Sequence, residues 1–209
     1  MAIKLVLVDD HQVLLDGLEQ LLGLEADFKV VGTCGTVAAG IRAADALRPD
    51  ILILDLKLHN ESGFSVLRHL ATREAPAVVV LTASDNEEDL LEAVRLGARG
   101  VVLKAMAPRT LERCIRTVSS GGKWLTVEGQ DLSARLAQRR IAEAKMAELL
   151  TSRELEVMRL LASRLDNEEI AQRLGISPGT AKIHIHHVYM KLGVSGRQEL
   201  QNYLKTAGY

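Results

Sequence analysis

Ile51-Leu52-Ile53-Leu54 is a run of four apolar residues, introduced by Pro49-Asp50 and closed by Asp55. A run this short and this apolar reads as a β-strand buried on both faces, which calls for a parallel sheet covered by helices. In an open sheet of that kind, ligands bind beyond the carboxyl ends of the strands. Asp55 therefore stands where chemistry is expected. Lys4-Leu5-Val6-Leu7-Val8 is a second such run and delivers Asp9 and Asp10 at its own carboxyl end. Three carboxylates at adjacent strand ends repel one another unless a cation holds them, and oxygen-only ligands suit Mg²⁺.

The alternation continues through the first half of the chain. Strands are predicted at 3–8, 28–33, 51–55, 77–82 and 100–103, with helices near 11–22, 36–47, 62–73, 86–96 and 109–119. In the first helix Val13, Leu14, Leu18, Leu21 and Leu22 recur at helical spacing and should face the sheet. Five strands alternating with five helices predict an α/β domain with a five-stranded parallel sheet covered on both faces. Ser119-Ser120-Gly121-Gly122 stops the last helix, so this domain is expected to span residues 1–120. The fourth strand ends at Thr82 and the fifth at Lys104, adding a hydroxyl and a mobile cation to the acidic cluster. Taken singly, each is a polar strand end facing solvent. Together, Asp9, Asp10, Asp55, Thr82 and Lys104 offer a carboxylate nucleophile, a metal pair, a hydroxyl donor and a cation, which could hold a phosphoryl group.

Bulk properties add less. No run approaches the roughly 18 apolar residues of a membrane span. No signal peptide is visible, and two cysteines, Cys34 and Cys114, fit free thiols in a reducing cytoplasm better than a disulfide framework. Residues 1–120 carry 13 Lys and Arg against 17 Asp and Glu, whereas residues 121–209 carry 13 against 10. An acidic front and a mildly basic back suggest two jobs, the second with an anionic partner.

Residues 121–148 read as a connection, with a helix expected through its Ala-, Arg-, Gln- and Glu-rich part. Residues 149–209 read as all helical. Thr151-Ser152-Arg153-Glu154 is a capping box opening a helix with Leu155, Met158, Leu161 and Ala162 on one face. Asn167 to Leu174 forms a short helix stopped by Gly175, and Ser177-Pro178 opens the next, which meets Gly193. A short helix, a tight turn and a second helix form the helix-turn-helix pattern. Ala181, Ile185, Val188 and Leu192 should face the core. Lys182, Ile183, His186 and Tyr189 lie off that face and offer the cation and apolar tip that a DNA major groove can read. Ser195-Gly196-Arg197-Gln198 caps a last helix whose Leu200 and Leu204 either close the domain's own core or meet a second copy.

With these residues in view, the first 120 residues resemble the receiver domain of a two-component response regulator, which implies the flavodoxin-like strand order 2-1-3-4-5. The resemblance implies that Asp55 accepts a phosphoryl group and that Asp9, Asp10, Asp55 and the backbone carbonyl of Lys57 hold Mg²⁺. It further implies that Thr82 and Lys104 bind the phosphoryl oxygens, and that Lys57 and Ser84 flank the attacking water. Three positions depart from the pattern: His59 replaces the usual proline, Val101 the usual aromatic switch residue, and Ala105 the proline after the lysine. Leu150-Thr151-Ser152-Arg153-Glu154, Asn167-Glu168-Glu169-Ile170-Ala171, Thr180-Ala181-Lys182-Ile183-His184 and Lys191-Leu192-Gly193-Val194 resemble the LuxR/FixJ-type DNA-binding domain. Ala181, usually valine, and His187, often asparagine, depart from it. Thr180, Lys182, Ile183, His186, His187 and Lys191 are its implied DNA contacts.

In this order the two halves resemble the NarL/FixJ class of response regulators. The expectation is a cytoplasmic transcription regulator that is not an enzyme: a sensor histidine kinase phosphorylates Asp55, and a homodimer then binds double-stranded DNA at a two-fold repeat. RNA polymerase is a candidate further partner, and no membrane partner is expected. One alternative is a receiver acting without phosphorylation, which Val101 favours. The other is an aspartate-nucleophile phosphatase, disfavoured because those enzymes carry an Asp-x-Asp pattern after the first strand.

Overall fold

The computed structural model describes residues 2–71, 75–106, 108–163 and 165–206. The chain divides into two compact units, residues 1–133 and 134–209, the division falling inside the predicted connection.

In the first unit β1 (Ile3–Val8), β2 (Phe28–Cys34), β3 (Ile51–Leu54), β6 (Ala77–Thr82) and β7 (Gly100–Leu103) form one parallel sheet in the order β2-β1-β3-β6-β7. This is the order 2-1-3-4-5 predicted for the five sheet strands. Between β3 and β6 lie two short strands, β4 (Lys57–Leu58) and β5 (Glu61–Ser62), paired as a hairpin. The helices are α1 (Gln12–Gly23), α2 (Val37–Leu47), α3 (Phe64–Leu70), α4 (Glu87–Arg95) and α5 (Pro108–Ser119). The third predicted helix, 62–73, is thus shorter at its start because Glu61–Ser62 pairs in the hairpin; its positions 72 and 73 lie outside the described residues. Burial of every β3 residue forces the sheet to be covered on both sides. Leu5, Leu7, Ile51, Ile53 and Val79 pack with Leu15, Leu22, Leu111 and Ile115.

The α1 face differs from the predicted one. Leu15 and Leu22 are buried, whereas Val13 is 87% exposed. Five leucines in twelve residues support two overlapping helical stripes, and the sheet selects the one containing Leu15, Leu18 and Leu22. Sequence reading also gave no strand beyond Leu103. Trp124 donates its N–H to Arg99 O at 2.8 Å and its carbonyl accepts from Val101 N at 2.9 Å, extending the sheet past β7. A second hairpin follows, β8 (Thr126–Val127) with β9 (Gln130–Asp131), turning through Glu128 and Gly129, both at positive φ. Paired positive φ values define the turn that matches strand twist.

The helix α6 (Leu132–Leu149) crosses the division between the units. Helices α7 (Ser152–Ala162), α8 (Asn167–Leu174), α9 (Pro178–Leu192) and α10 (Arg197–Thr206) complete the second unit. The expected caps are formed. Thr151 and Glu154 close a capping box on α7, Ser177 caps α9 ahead of Pro178, and Gly175 and Gly193 end α8 and α9 in the left-handed conformation. Ala181, Ile185, Val188 and Leu192 are buried, as their spacing predicts. On α7 the buried face comprises Glu154, Val157, Met158 and Leu161, rotated from the predicted stripe. Tyr189, predicted off the core face, packs against the core. Leu200 and Leu204 are buried in this unit's core, so they close it and do not offer a surface to a second copy.

Candidate functional site

The acidic pocket forms where β1 and β3 end side by side. The register pairs Val8 with Leu54, so Asp9 and Asp55 leave adjacent strands at the same level. Asp55 N donates to Val8 O at 2.9 Å, which locks that alignment. Both side chains are nearly fully buried. Lys104, following β7, reaches across and places its ammonium 2.6 Å from Asp55 Oδ2 and 2.6 Å from Asp9 Oδ2. Burial works against the charged form of Lys104, but its bonds to Asp55 and Asp9 outweigh that effect and hold its pKa above the usual value.

Asp10 is held from the far side. His59 N donates to Asp10 Oδ2 at 2.9 Å, and the His59 ring also contacts that oxygen through Nδ1. His59 has φ 47°. A proline at this position has no N–H to donate and its ring fixes φ near −65°, so the departure noted in the sequence creates this contact. Burial opposes ionisation of Asp10, yet the His59 amide and the nearby His11 ring outweigh it and lower its pKa. Asp10 Oδ1 is buried and receives no hydrogen bond among the described residues. A buried carboxylate oxygen without a donor is costly unless a cation meets it. Ligand atoms of Asp9, Asp10, His11 and Asp55 lie within 4.8 Å of one another. The pocket thus fits a hard divalent cation: clustered carboxylate oxygens, one of them unsatisfied.

The remaining predicted residues line the approach. Lys57 is exposed just beyond Asp55, and its N–H donates to Asp55 Oδ1 at 3.2 Å. Thr82 ends β6, fully buried, and its Oγ1 accepts from Ser84 N at 3.1 Å. Among the described residues its hydroxyl bonds to neither Asp55 nor Lys104, while its carbonyl accepts from Lys104 N at 2.8 Å. Ser84 is buried rather than open to solvent, and its hydroxyl donates to Asp89 at 2.9 Å. Gly63 was missed by sequence reading. A Cβ there would lie 2.2 Å from the Asp55 carbonyl oxygen, so the chain after Asp55 can pass only if this residue is glycine. Nor did sequence reading place His11 and His59 at the pocket. For His59 the signal was present in the missing proline, whereas its contact with Asp10 spans 49 residues and has no local signature.

The second candidate surface is α9. Thr180, Lys182, Ile183, His186 and His187 are exposed on it, and Ile183 is an uncommonly exposed branched apolar side chain. Lys191 is engaged differently. Its Nζ lies 2.6 Å from Glu154 Oε2, and Glu154 also accepts from Thr151 N at 2.8 Å and Thr151 Oγ1 at 2.9 Å. The Lys191 bond, joined by the Thr151 donors, outweighs the opposing effect of burial and brings the Glu154 pKa down to about 2. Lys191 therefore clasps α9 to the start of α7. His187 Nδ1 stands 3.9 Å from the other Glu154 oxygen.

No helix among the described residues is long and apolar enough to cross a membrane. Residues 5–116 match the response regulator receiver domain, and residues 148–204 match the luxR family of bacterial regulatory proteins. The chain is 33% identical to the nitrate/nitrite response regulator protein NarL of Escherichia coli, over 93% of this chain and 91% of that one. It is also 33% identical to the DNA-binding transcriptional activator DevR/DosR of Mycobacterium tuberculosis, over 94% and 91%. Among solved structures, RcsB of Salmonella enterica serovar Typhimurium, bound to a promoter in the presence of the phosphomimetic BeF₃⁻, is similar with a TM-score of 0.65 and 27% identity, covering 98% of both chains.

Proposed function

The chain belongs to the two-component response regulators that join a receiver domain to a LuxR-type DNA-binding domain, and on that premise we propose that phosphorylation of Asp55 controls its binding to DNA. It is a DNA-binding transcription regulator of a two-component system. The observation that carries the finer reading is the ammonium of Lys104 bridging Asp9 and Asp55 at 2.6 Å each, at the ends of adjacent parallel strands.

An Asp55 carboxylate oxygen attacks the phosphorus of a phosphohistidine on the sensor kinase. The P–O bond forms as the P–N bond breaks, and the imidazole departs with the electron pair. Lys104 then exchanges its bond to Asp55 for the phosphoryl oxygens, and Thr82 Oγ1 turns from Ser84 N to donate to them. Asp9, Asp10, Asp55 and the Lys57 carbonyl are the residues that would hold Mg²⁺. When bound, that ion supplies charge neutralisation between the carboxylates and the incoming phosphoryl oxygens. Movement of Lys104 and Thr82 biases a two-state equilibrium toward a dimer on DNA, to the extent that the phosphoryl group is held better in one state. Thr180, Lys182, Ile183, His186 and His187 face the DNA, and the target is a two-fold repeat. Sensor kinase and RNA polymerase are the protein partners of this reading.

Radiolabelled acetyl phosphate with Mg²⁺ tests it. The wild type should take up label and bind target DNA more tightly, while Asp55→Asn, nearly isosteric and free of one negative charge, should fold and take up none. Labelled Asp55→Asn would refute the acceptor assignment. A second reading, DNA binding without phosphorylation, is favoured by Val101, which is fully buried where an aromatic switch is usual. DNA affinity that ignores acetyl phosphate in a labelled protein would select it.

A further inference from the structure

The hydroxyl of Thr82 is also the first link of a chain of hydrogen bonds that leads away from the acidic pocket. Ser84 N donates to Thr82 Oγ1 at 3.1 Å, and the Ser84 hydroxyl donates to Asp89 Oδ2 at 2.9 Å. The same hydroxyl accepts from Asn86 N at 3.4 Å. Asn86 caps α4, its Oδ1 accepting from Glu88 N at 2.8 Å and from Asp89 N at 3.2 Å. The end of β6 is thus tied, through side chains, to the first turn of α4.

The inner links are buried: Thr82 is fully buried and Ser84 is 7% exposed. A buried N–H stripped of its acceptor is costly, so it either follows its partner or finds another. The Thr82 backbone stays with the sheet, its carbonyl accepting from Lys104 N at 2.8 Å. When Thr82 Oγ1 turns to a phosphoryl group, Ser84 N loses its acceptor and Ser84 must move. Its hydroxyl then draws on Asp89 and Asn86 at the start of α4.

The position where an aromatic switch is usual offers no second route. Val101 is fully buried, lies beside Val80 in the sheet and donates its N–H to Trp124 O at 2.9 Å. A β-branched side chain is stiff at χ1, and this one has no ring to swing. We propose that Thr82, Ser84 and Asp89 form a relay that carries the phosphorylation state of Asp55 to the first turn of α4. The proposal rests on the reading of Asp55 as the phosphoacceptor. Asp89 is a positioning residue in it, and the exposed Asp85, Asn86 and Glu88 carry the change to the surface. A first turn that differs between the two states is the element through which the phosphoryl group biases the equilibrium.

The full chain, treated with radiolabelled acetyl phosphate and Mg²⁺, tests this through amide hydrogen exchange at Glu88, Asp89 and Leu90, read beside DNA affinity. In the wild type, phosphorylation should speed exchange at these amides and tighten DNA binding, each by about tenfold. Asp89→Ala keeps the Asn86 cap, so α4 should form and Asp55 should take up label as in the wild type. Both responses to phosphorylation should be lost in it. Asp89→Asn retains an oxygen that can accept from Ser84 and should restore both, which a purely electrostatic role for Asp89 would not allow. A labelled Asp89→Ala that responds like the wild type would overturn the relay alone. So would a labelled wild type without the exchange response, or an Asp89→Asn as unresponsive as Asp89→Ala. A wild type that takes up no label would overturn the phosphoacceptor reading itself, and the relay with it.

Discussion

Gly63 adopts ordinary helical angles, φ −57° and ψ −20°, so the chain needs it for clearance and not for handedness. An added Cβ would lie 2.2 Å from the Asp55 carbonyl oxygen and 3.0 Å from Leu56 Cα, both backbone atoms that cannot rotate away. Gly63→Ala should therefore displace the segment that carries Asp55, the proposed phosphoacceptor. It should cost about 1–3 kcal/mol in urea denaturation and slow labelling of Asp55. Gly17 makes the contrasting case. It lies inside α1 with open space around its missing Cβ. Gly17→Ala should stabilise the chain by about 0.5–1 kcal/mol without affecting labelling. Equal effects of the two substitutions would show that helix propensity, and not clearance, governs position 63. Sequence reading found Asp9, Asp10, Asp55, Thr82 and Lys104 because each closes a strand whose apolar run is visible. It missed Gly63 because a glycine's role in close approach depends on a neighbour that only the folded chain supplies.

The same division between local and distant causes separates the elements that were legible from those that were not. The five long strands and the caps at Thr151 and Ser177 are written in contiguous residues. The hairpins β4–β5 and β8–β9 have two residues per strand, too few for alternation to register, and Glu128-Gly129 lacks the Asn-Gly or Asp-Gly signature of its turn. Burial of Glu154 was also hidden, because its partner Lys191 lies 37 residues away on α9. That pair makes the junction of α7 and α9 sensitive to acid. The Glu154 pKa falls from 4.5 to about 2 on folding, so its contribution is fully present above about pH 4.5 and is lost as pH falls toward 2. Glu154→Gln should cost about 2–3 kcal/mol at pH 7 and flatten the decline in stability between pH 4.5 and 2. Parallel acid-denaturation curves for wild type and variant, followed by helical circular dichroism, would place the acid sensitivity elsewhere.

For the whole molecule, the question is how a chain of net charge −1 holds a polyanion. Residues 150–209 carry 8 Lys and Arg against 6 Asp and Glu, and one of those cations, Lys191, is matched to Glu154. So thin a margin makes each free cation on α9 count, and Lys182 is exposed there. Each phosphate neutralised contributes about −0.9 to the slope of log affinity against log salt on duplex DNA. If Lys182 meets a phosphate, Lys182→Ala should flatten that slope by about 0.9 for one protomer on DNA and by about 1.8 for two. The size of the change thus counts the protomers on the site through a binding titration alone. Replacing Glu154 by Gln and Lys191 by Met together removes one charge of each sign. That double variant should keep the wild-type slope even as it loses stability, because Lys191 is committed to the clasp between helices. A slope that falls by about 0.9 per protomer in the double variant would instead put Lys191 on the DNA. A flattening of about 0.9 in Lys182→Ala under phosphorylating conditions would mean that a single protomer occupies the site, and the proposed two-fold complex would fall with it.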